Sequence, residues 1–128
     1  MKSVVICGST RFKREATEFA KKLRELGVVV YEPNFNSGEG DWNSLSDDFK
    51  KFAVLGLTHE HFYKIQMADT VFIFNKDGYV GVSVTLEIGY AVGAGKPIYA
   101  LNGDDELARQ VLIREVISSP EELVRRLQ

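Results

Sequence analysis

The chain is poor in the residue types that announce a chemistry by themselves. It holds one cysteine in 128 residues, Cys7. That excludes an intramolecular disulfide and any cysteine-based metal motif. It holds two histidines, His59 and His61. A separation of two places them on different faces of a helix, so the pair makes no metal site, and no metal or other cofactor is expected. Positive charge is not in surplus: 16 Lys and Arg stand against 18 Asp and Glu, a net charge of −2. Bulk binding to nucleic-acid polymers or to an anionic membrane needs a basic surface, and this composition excludes it. The longest apolar run, Gly78 to Leu86, falls far short of a bilayer span. The start, Met1-Lys2-Ser3-Val4-Val5-Ile6-Cys7, lacks the long apolar stretch and cleavage site of a signal peptide. A cytoplasmic location is expected. There is no internal repeat, linker or low-complexity tract, so residues 1–128 read as a single domain with room for a full core.

A local scarcity is more telling. Between Gly81 and Gly95 the only charged residue is Glu87; the rest are small or apolar. A helix that is apolar nearly all round is a buried one. A dry, unpaired carboxylate there would cost several kcal/mol. Glu87 is therefore paired, faces a wet cleft, or is kept for its chemistry. A helix-start Glu gains only about 0.3–1 kcal/mol from the macrodipole. The capping-box pattern would need Ser or Thr at position 84, which is Val. Glu87 is a candidate catalytic carboxylate.

The pattern along the chain alternates strand and helix. Strands are expected at Ser3–Cys7, Val28–Tyr31, Thr70–Asn75, Lys96–Leu101 and Val111–Ile117. Phe12, Ala16, Phe19, Ala20, Leu23 and Leu26 recur at helical spacing, and Gly27 stops that helix. Further helices are expected over Asp47–Ala68, with a break near Gly56, and over Thr85–Ala94. Ser119-Pro120-Glu121-Glu122 is a cap followed by a first-position proline, and it opens a last helix. Alternation of this kind predicts an α/β fold with a mostly parallel five-stranded sheet covered on both faces. Ligands in such folds sit beyond the carboxyl ends of the strands. Three segments belong to that edge: Gly8–Arg14, Asn34–Trp42 and Asn75–Glu87.

Gly8-Ser9-Thr10-Arg11 joins the first strand to the first helix. Helix starts prefer acids, yet Arg11, Lys13 and Arg14 come here before the first acid, Glu15. Free backbone N–H groups, two hydroxyls and a guanidinium at one point suit a phosphate; otherwise Ser9 or Thr10 merely caps. Neither the G-x-G-x-x-G nor the G-x-x-x-x-G-K-[ST] pattern is present. Asp69 precedes the third strand and Asp77 follows it; each is a turn residue or a candidate ligand contact. Ser83 and Thr85 are candidate caps or phosphate donors. Trp42, in a long turn-rich loop with Asn34, Phe35 and Asn36, is a candidate for stacking on a base. Cys7, at the end of a buried strand, reads as a core residue.

Three stretches together resemble the nucleoside 2-deoxyribosyltransferase superfamily, which includes the nucleoside 5′-monophosphate N-glycosidases. They are Val5-Ile6-Cys7-Gly8-Ser9-Thr10-Arg11, Lys64-Ile65-Gln66-Met67-Ala68-Asp69, and Gly81 through Glu87-Ile88-Gly89-Tyr90-Ala91 with Gly95-Lys96-Pro97. The resemblance implies a flavodoxin-like three-layer sandwich, a homodimer or higher homo-oligomer, and a Glu nucleophile at Glu87. It implies a nucleoside or nucleoside 5′-monophosphate as ligand. Gly8, Ser9, Thr10, Arg11, Gly81 and Ser83 would hold the 5′-phosphate. Asp69 or His61 would assist the departing base, and Trp42, Asn34 and Asp77 would meet base or sugar. Two positions depart from the family pattern: Val5 stands where many members have Tyr, and His61 where many have Asp. A nucleotide-binding module without catalysis is the alternative. A flavodoxin-like electron carrier fits less well, because the first loop lacks a hydroxyl-rich, glycine-spaced flavin-phosphate pattern. Phe35, Trp42, Phe49, Phe52, Phe62 and Tyr63 exceed what one small core needs. A homodimer through the 47–68 helix is the expectation.

Overall fold

A computed structural model of the protein describes residues 1–35 and 41–128. Asn36, part of the loop read as a binding loop, lies outside the described residues. The strands are β1 (Val4–Gly8), β2 (Val30–Tyr31), β3 (Thr70–Phe74), β4 (Ile98–Ala100) and β5 (Glu115–Val116). The helices are α1 (Lys13–Glu25), α2 (Asp47–Met67), α3 (Val82–Gly93), α4 (Leu107–Gln110) and α5 (Pro120–Leu127). Every strand pair is parallel, in the order β2-β1-β3-β4-β5. This is the flavodoxin-like order, whose switch point lies between β1 and β3.

β1 and β3 lie at the centre, where both faces of a parallel sheet are covered. Val4 to Cys7 and Thr70 to Phe74 are accordingly buried without interruption. Their side chains alternate between two cores. Val4, Ile6, Phe72 and Phe74 pack with α1 and α5 through Phe19, Leu23, Leu123 and Leu127. Val5, Cys7, Val71 and Ile73 pack with α2 and α3 through Ile65, Val84, Ile88 and Ala91. The result is a three-layer sandwich.

Several boundaries differ from the sequence expectation. β2 and β5 are two residues each, because an edge strand ends where its single neighbour stops pairing. The fifth strand, expected over Val111–Ile117, is confined to Glu115–Val116, and residues 107–110, which carried no expected element, form the short α4. α2 runs through Gly56 without a break. The mid-helix glycine costs about 1 kcal/mol relative to Ala, less than the neighbouring turns and the Ser46 cap supply. Ser46 Oγ accepts the Phe49 N–H at 3.1 Å, and Asp47 and Asp48 complement the helix start. α3 starts at Val82, earlier than expected, with Gly81 as its uncapped N-cap. Thr85 Oγ1 donates back to the Gly81 carbonyl at 2.9 Å instead of capping the start. α5 follows its pattern: Ser119 Oγ accepts the Glu122 N–H at 3.2 Å, with Pro120 in the first position. No described helix is long and apolar enough to cross a membrane.

The carboxyl ends of β3 and β4 are pinned by an asparagine pair. Asn75 Oδ1 accepts the Asn102 N–H at 2.9 Å, and Asn75 Nδ2 donates to the Asn102 carbonyl at 2.8 Å. Asn102 Nδ2 returns a bond to the Asn75 carbonyl at 3.0 Å. This fixes the rim from which the Asp77 turn and α3 depart.

Candidate active site

The polar cluster of the α2/α3 core is built by three elements. Cys7 is the last buried residue of β1, His61 comes from the inner face of α2, and Glu87 from α3. Cys7 Sγ lies 3.3 Å from His61 Nε2, and His61 Nε2 lies 3.7 Å from Glu87 Oε1. Residues 59 and 61 sit on different faces of α2, as expected: His59 is exposed and His61 is 6 % exposed.

Burial sets the protonation of all three groups. It is the first cause pushing the Glu87 carboxyl up to about 7, which the Cys7 thiol opposes by hydrogen bonding. Burial first, then the Lys64 charge, holds His61 down at about 4. Burial and then the Glu87 charge push the Cys7 thiol well up. At neutral pH His61 is therefore neutral, and its 3.7 Å approach to Glu87 is not an ion pair. His61 Nδ1 has no partner among the described residues. A buried N–H left unpaired costs more than an unpaired lone pair, so the proton belongs on Nε2, which Cys7 Sγ and Glu87 Oε1 both approach.

The donor atoms of Cys7, His61 and Glu87 all lie within 4.8 Å of one another, a spacing compatible with a metal ion. The sequence reading weighed the two histidines as a pair and missed this convergence. The surroundings of His61 do not fit a metal ligand well. A ligating His ordinarily donates its other ring N–H to an acceptor, and Nδ1 has none among the described residues.

Glu87 is not sealed off. Its side chain is 15 % exposed and helps wall a cavity of about 200 Å³ between α2 and α3. Val54, Leu57, Thr58 and Phe62 form one wall, Ser83 and Leu86 the other. Phe62 is itself stacked flat on Tyr90, ring centroids 4.3 Å apart. A carboxyl shifted to about 7, mostly buried but with an edge on a small cavity, can change protonation state near neutral pH.

No protein-family model matches the sequence, and no curated protein matches it. Solved structures do. A conserved protein from Enterococcus faecalis V583 superposes with a TM-score of 0.73 at 19 % identity, covering 99 % of this chain and 97 % of that one. A 2-deoxyribosyltransferase from Bacillus psychrosaccharolyticus gives 0.64 at 19 % identity, covering 94 % and 89 %. The fold is shared with a 2-deoxyribosyltransferase. The Clostridium botulinum CMP N-glycosidase BcmB gives 0.53 at 19 % identity, covering 98 % of each chain.

Within this shared 2-deoxyribosyltransferase-like fold, the expected site residues separate into groups. Glu87 and His61 come together, joined by Cys7, which the sequence reading left in the core. Ser83 is exposed on the first turn of α3 and lines the same cavity. Gly8, Ser9, Thr10 and Arg11 end β1 and begin the next turn, on the carboxyl rim. Ser9 Oγ accepts the Arg11 N–H at 3.1 Å, so Ser9 does cap this turn. A Cβ at Gly8 would meet Phe74 at 3.4 Å, so glycine suits the close approach of β1 to β3. Asp77, in the rim turn after β3, has φ 56°, and Gly78 follows at φ 79°. Its positive φ accounts for Asp77 as a turn former, and its side chain is exposed.

Asp69 is a correction. It sits at the amino end of β3, the edge opposite the rim. Its Oδ2 accepts the Ser3 N–H at 2.8 Å and the Ser3 hydroxyl at 3.0 Å, and its own N–H donates to Ser3 Oγ at 3.0 Å. Those Ser3 bonds hold its carboxyl below the usual range. Asp69 ties β1 to β3 at the far end and does not meet Glu87. Asn34 is exposed beyond β2, and Trp42 is half-buried with the Lys50 ammonium 5.9 Å from its ring. The Glu87 cavity is walled by α2 and α3, not by Asn34, Trp42 or Asp77.

Proposed function

We propose that this protein cleaves or transfers the N-glycosidic bond of a nucleoside or nucleoside 5′-monophosphate, with Glu87 as the nucleophile. The observation that carries the reading is the Glu87 carboxyl itself. It is buried enough to be held at about 7, yet it opens on a cavity between α2 and α3. The neighbours support the class of chemistry, since one is a 2-deoxyribosyltransferase and another a CMP N-glycosidase.

In this reading ionised Glu87 attacks C1′ of the sugar. The C1′–N bond breaks, and the base leaves with the bonding pair and takes a proton from solvent water at its ring nitrogen. A glycosyl ester on Glu87 results, as in retaining glycosidases. Water, or a second base, attacks C1′ and frees the carboxylate. His61 is turned toward Glu87 in the core, which suits holding the nucleophile better than protonating a departing base. The Gly8–Arg11 loop and the Gly81–Ser83 start of α3 hold the 5′-phosphate, and a remote anchor of this kind aligns C1′ for attack. The expected homodimer belongs to the same reading. Phe52 is 73 % exposed on α2, with Phe49 and Leu55 also exposed, and α2 supplies Val54 and Leu57 to the cavity wall.

Chromatographic release of free base from a panel of nucleosides and 5′-monophosphates tests the proposal. Wild type should release base, faster as pH passes about 7, where Glu87 ionises. Glu87→Ala should abolish release while the protein stays folded. Near-wild-type turnover by the variant removes Glu87 as nucleophile. The second reading, nucleotide binding without turnover, is favoured by Val5 and His61, which stand where many members of the resembled family have Tyr and Asp. It takes over if the wild type binds ligands of the panel and cleaves none.

A further inference from the structure

The carboxyl ends of β1 and β3 are joined by one aromatic ring that the core does not use. Tyr79 follows the tight turn at Asp77 and Gly78, and its N–H donates to the Lys76 carbonyl at 3.1 Å. Its ring is partly exposed. On one side the Arg11 guanidinium lies over the ring face, 3.8 Å from the centroid. Phe12 meets the same ring edge-on, centroids 6.2 Å apart. On the other side the ring folds back over the start of α3. A Cβ at Gly81 would meet the Tyr79 hydroxyl at 3.3 Å. Behind Tyr79, the Lys76 ammonium reaches Glu15 of α1 at 3.6 Å, a second tie between the same two segments.

The stack leaves Arg11 fit for a ligand. Among the described residues Arg11 pairs with no carboxylate. A guanidinium stacked by its face keeps its in-plane N–H groups free for an anion. A long exposed side chain otherwise loses rotamer freedom on binding, and a ring beneath it removes part of that loss beforehand.

We propose that Tyr79 is a positioning residue. Its ring holds Arg11 beside the Gly81 start of α3, and so sets a preference for ligands carrying a 5′-phosphate. The proposal rests on the reading of these two loops as the phosphate anchor. It adds that the anchor is assembled by a side chain with no polar contact of its own to the phosphate.

Calorimetry on the intact protein, with nucleoside 5′-monophosphates and the matching nucleosides as probes, separates the two claims. Wild type should bind monophosphates more tightly than nucleosides. Tyr79→Ala should weaken monophosphate binding about twofold to fivefold, the range for an exposed cation–π contact, and leave nucleoside binding unchanged. Tyr79→Phe keeps the ring and should behave as wild type; Tyr79→Leu keeps bulk without a π face and should behave as the Ala variant. Arg11→Ala should weaken monophosphate binding roughly tenfold to hundredfold, and adding Tyr79→Ala should take away nothing more. The positioning role is overturned if the Ala variant binds monophosphates as well as wild type or better. It is equally overturned if Phe fails to rescue, or if nucleosides suffer the same loss. If wild type shows no preference for the phosphorylated ligand, the phosphate anchor itself is wrong and this role falls with it.

Discussion

The two faces of one sheet are built from alternate residues of the same strands, and they differ in kind. Toward α1 and α5, β1 and β3 present Val4, Ile6, Phe72 and Phe74. Phe19 stacks on Phe72 at 4.7 Å and meets Phe74 edge-on at 5.6 Å. The cluster is apolar apart from Tyr99. Toward α2 and α3, the next residues along include Cys7, and the helices add His61 and Glu87. One face is packed for stability. The other gives up some of it to keep three titratable groups out of water, a trade that the proposed function would explain.

The comparison breaks most visibly at Phe72, which is fully buried. Phe72→Ala should destabilise by about 3–5 kcal/mol in urea unfolding. A loss below about 1 kcal/mol would mean that the α1/α5 face is loosely packed and that the contrast is false.

The polar face predicts a pH signature of the opposite sense. Folding raises the Glu87 pKa from 4.5 to about 7. The folded state then keeps a proton that the unfolded chain releases. This contribution is complete below pH 4.5 and is lost as pH rises through 7. It is of the order of 3 kcal/mol. Folding lowers His61 from 6.5 to about 4. Its contribution is complete above 6.5 and is lost as pH falls through 4. The two slopes oppose each other between about pH 4.5 and 6.5, so wild-type stability should be nearly flat there. Glu87→Gln removes one slope. The variant should gain stability over wild type above pH 7 and should fall on acidification below 6.5. Parallel pH profiles for the two proteins would contradict the assignment.

The smallest effect is expected at the far edge. Asp69→Asn should cost about 1 kcal/mol, the scale of a hydrogen bond at an exposed site, and should leave base release within twofold of wild type. A turnover loss of a hundredfold would return Asp69 to the chemistry.

The same contrast explains what the sequence made legible. Central parallel strands are runs of apolar residues, so β1 and β3 stand out in the chain. β2 and β5 are short because pairing, not apolarity, sets their length. α4 was invisible for another reason. It is held by Arg109 Nε donating to buried Asp104 at 2.7 Å and by Gln110 donating to the Asp104 carbonyl at 2.6 Å, bonds that leave no periodic trace. Glu87 was legible because it interrupts an apolar helix. Cys7 was not, because a thiol at a core position reads as a small hydrophobe until its neighbours are known. Asp69 came into the candidate site with the family resemblance; by itself it also read as a turn residue before β3, and its Ser3 bonds fit that reading. Strand direction alone separates it from Glu87.

The central claim is that Glu87 is a carboxyl held protonated by burial until near-neutral pH. Carbon-13 NMR of the glutamate side-chain carboxyls across a pH titration measures this directly, with the Glu87→Gln protein assigning the signal. The account predicts a midpoint for Glu87 at about 7. A midpoint in the ordinary glutamate range, near 4.3, would contradict it.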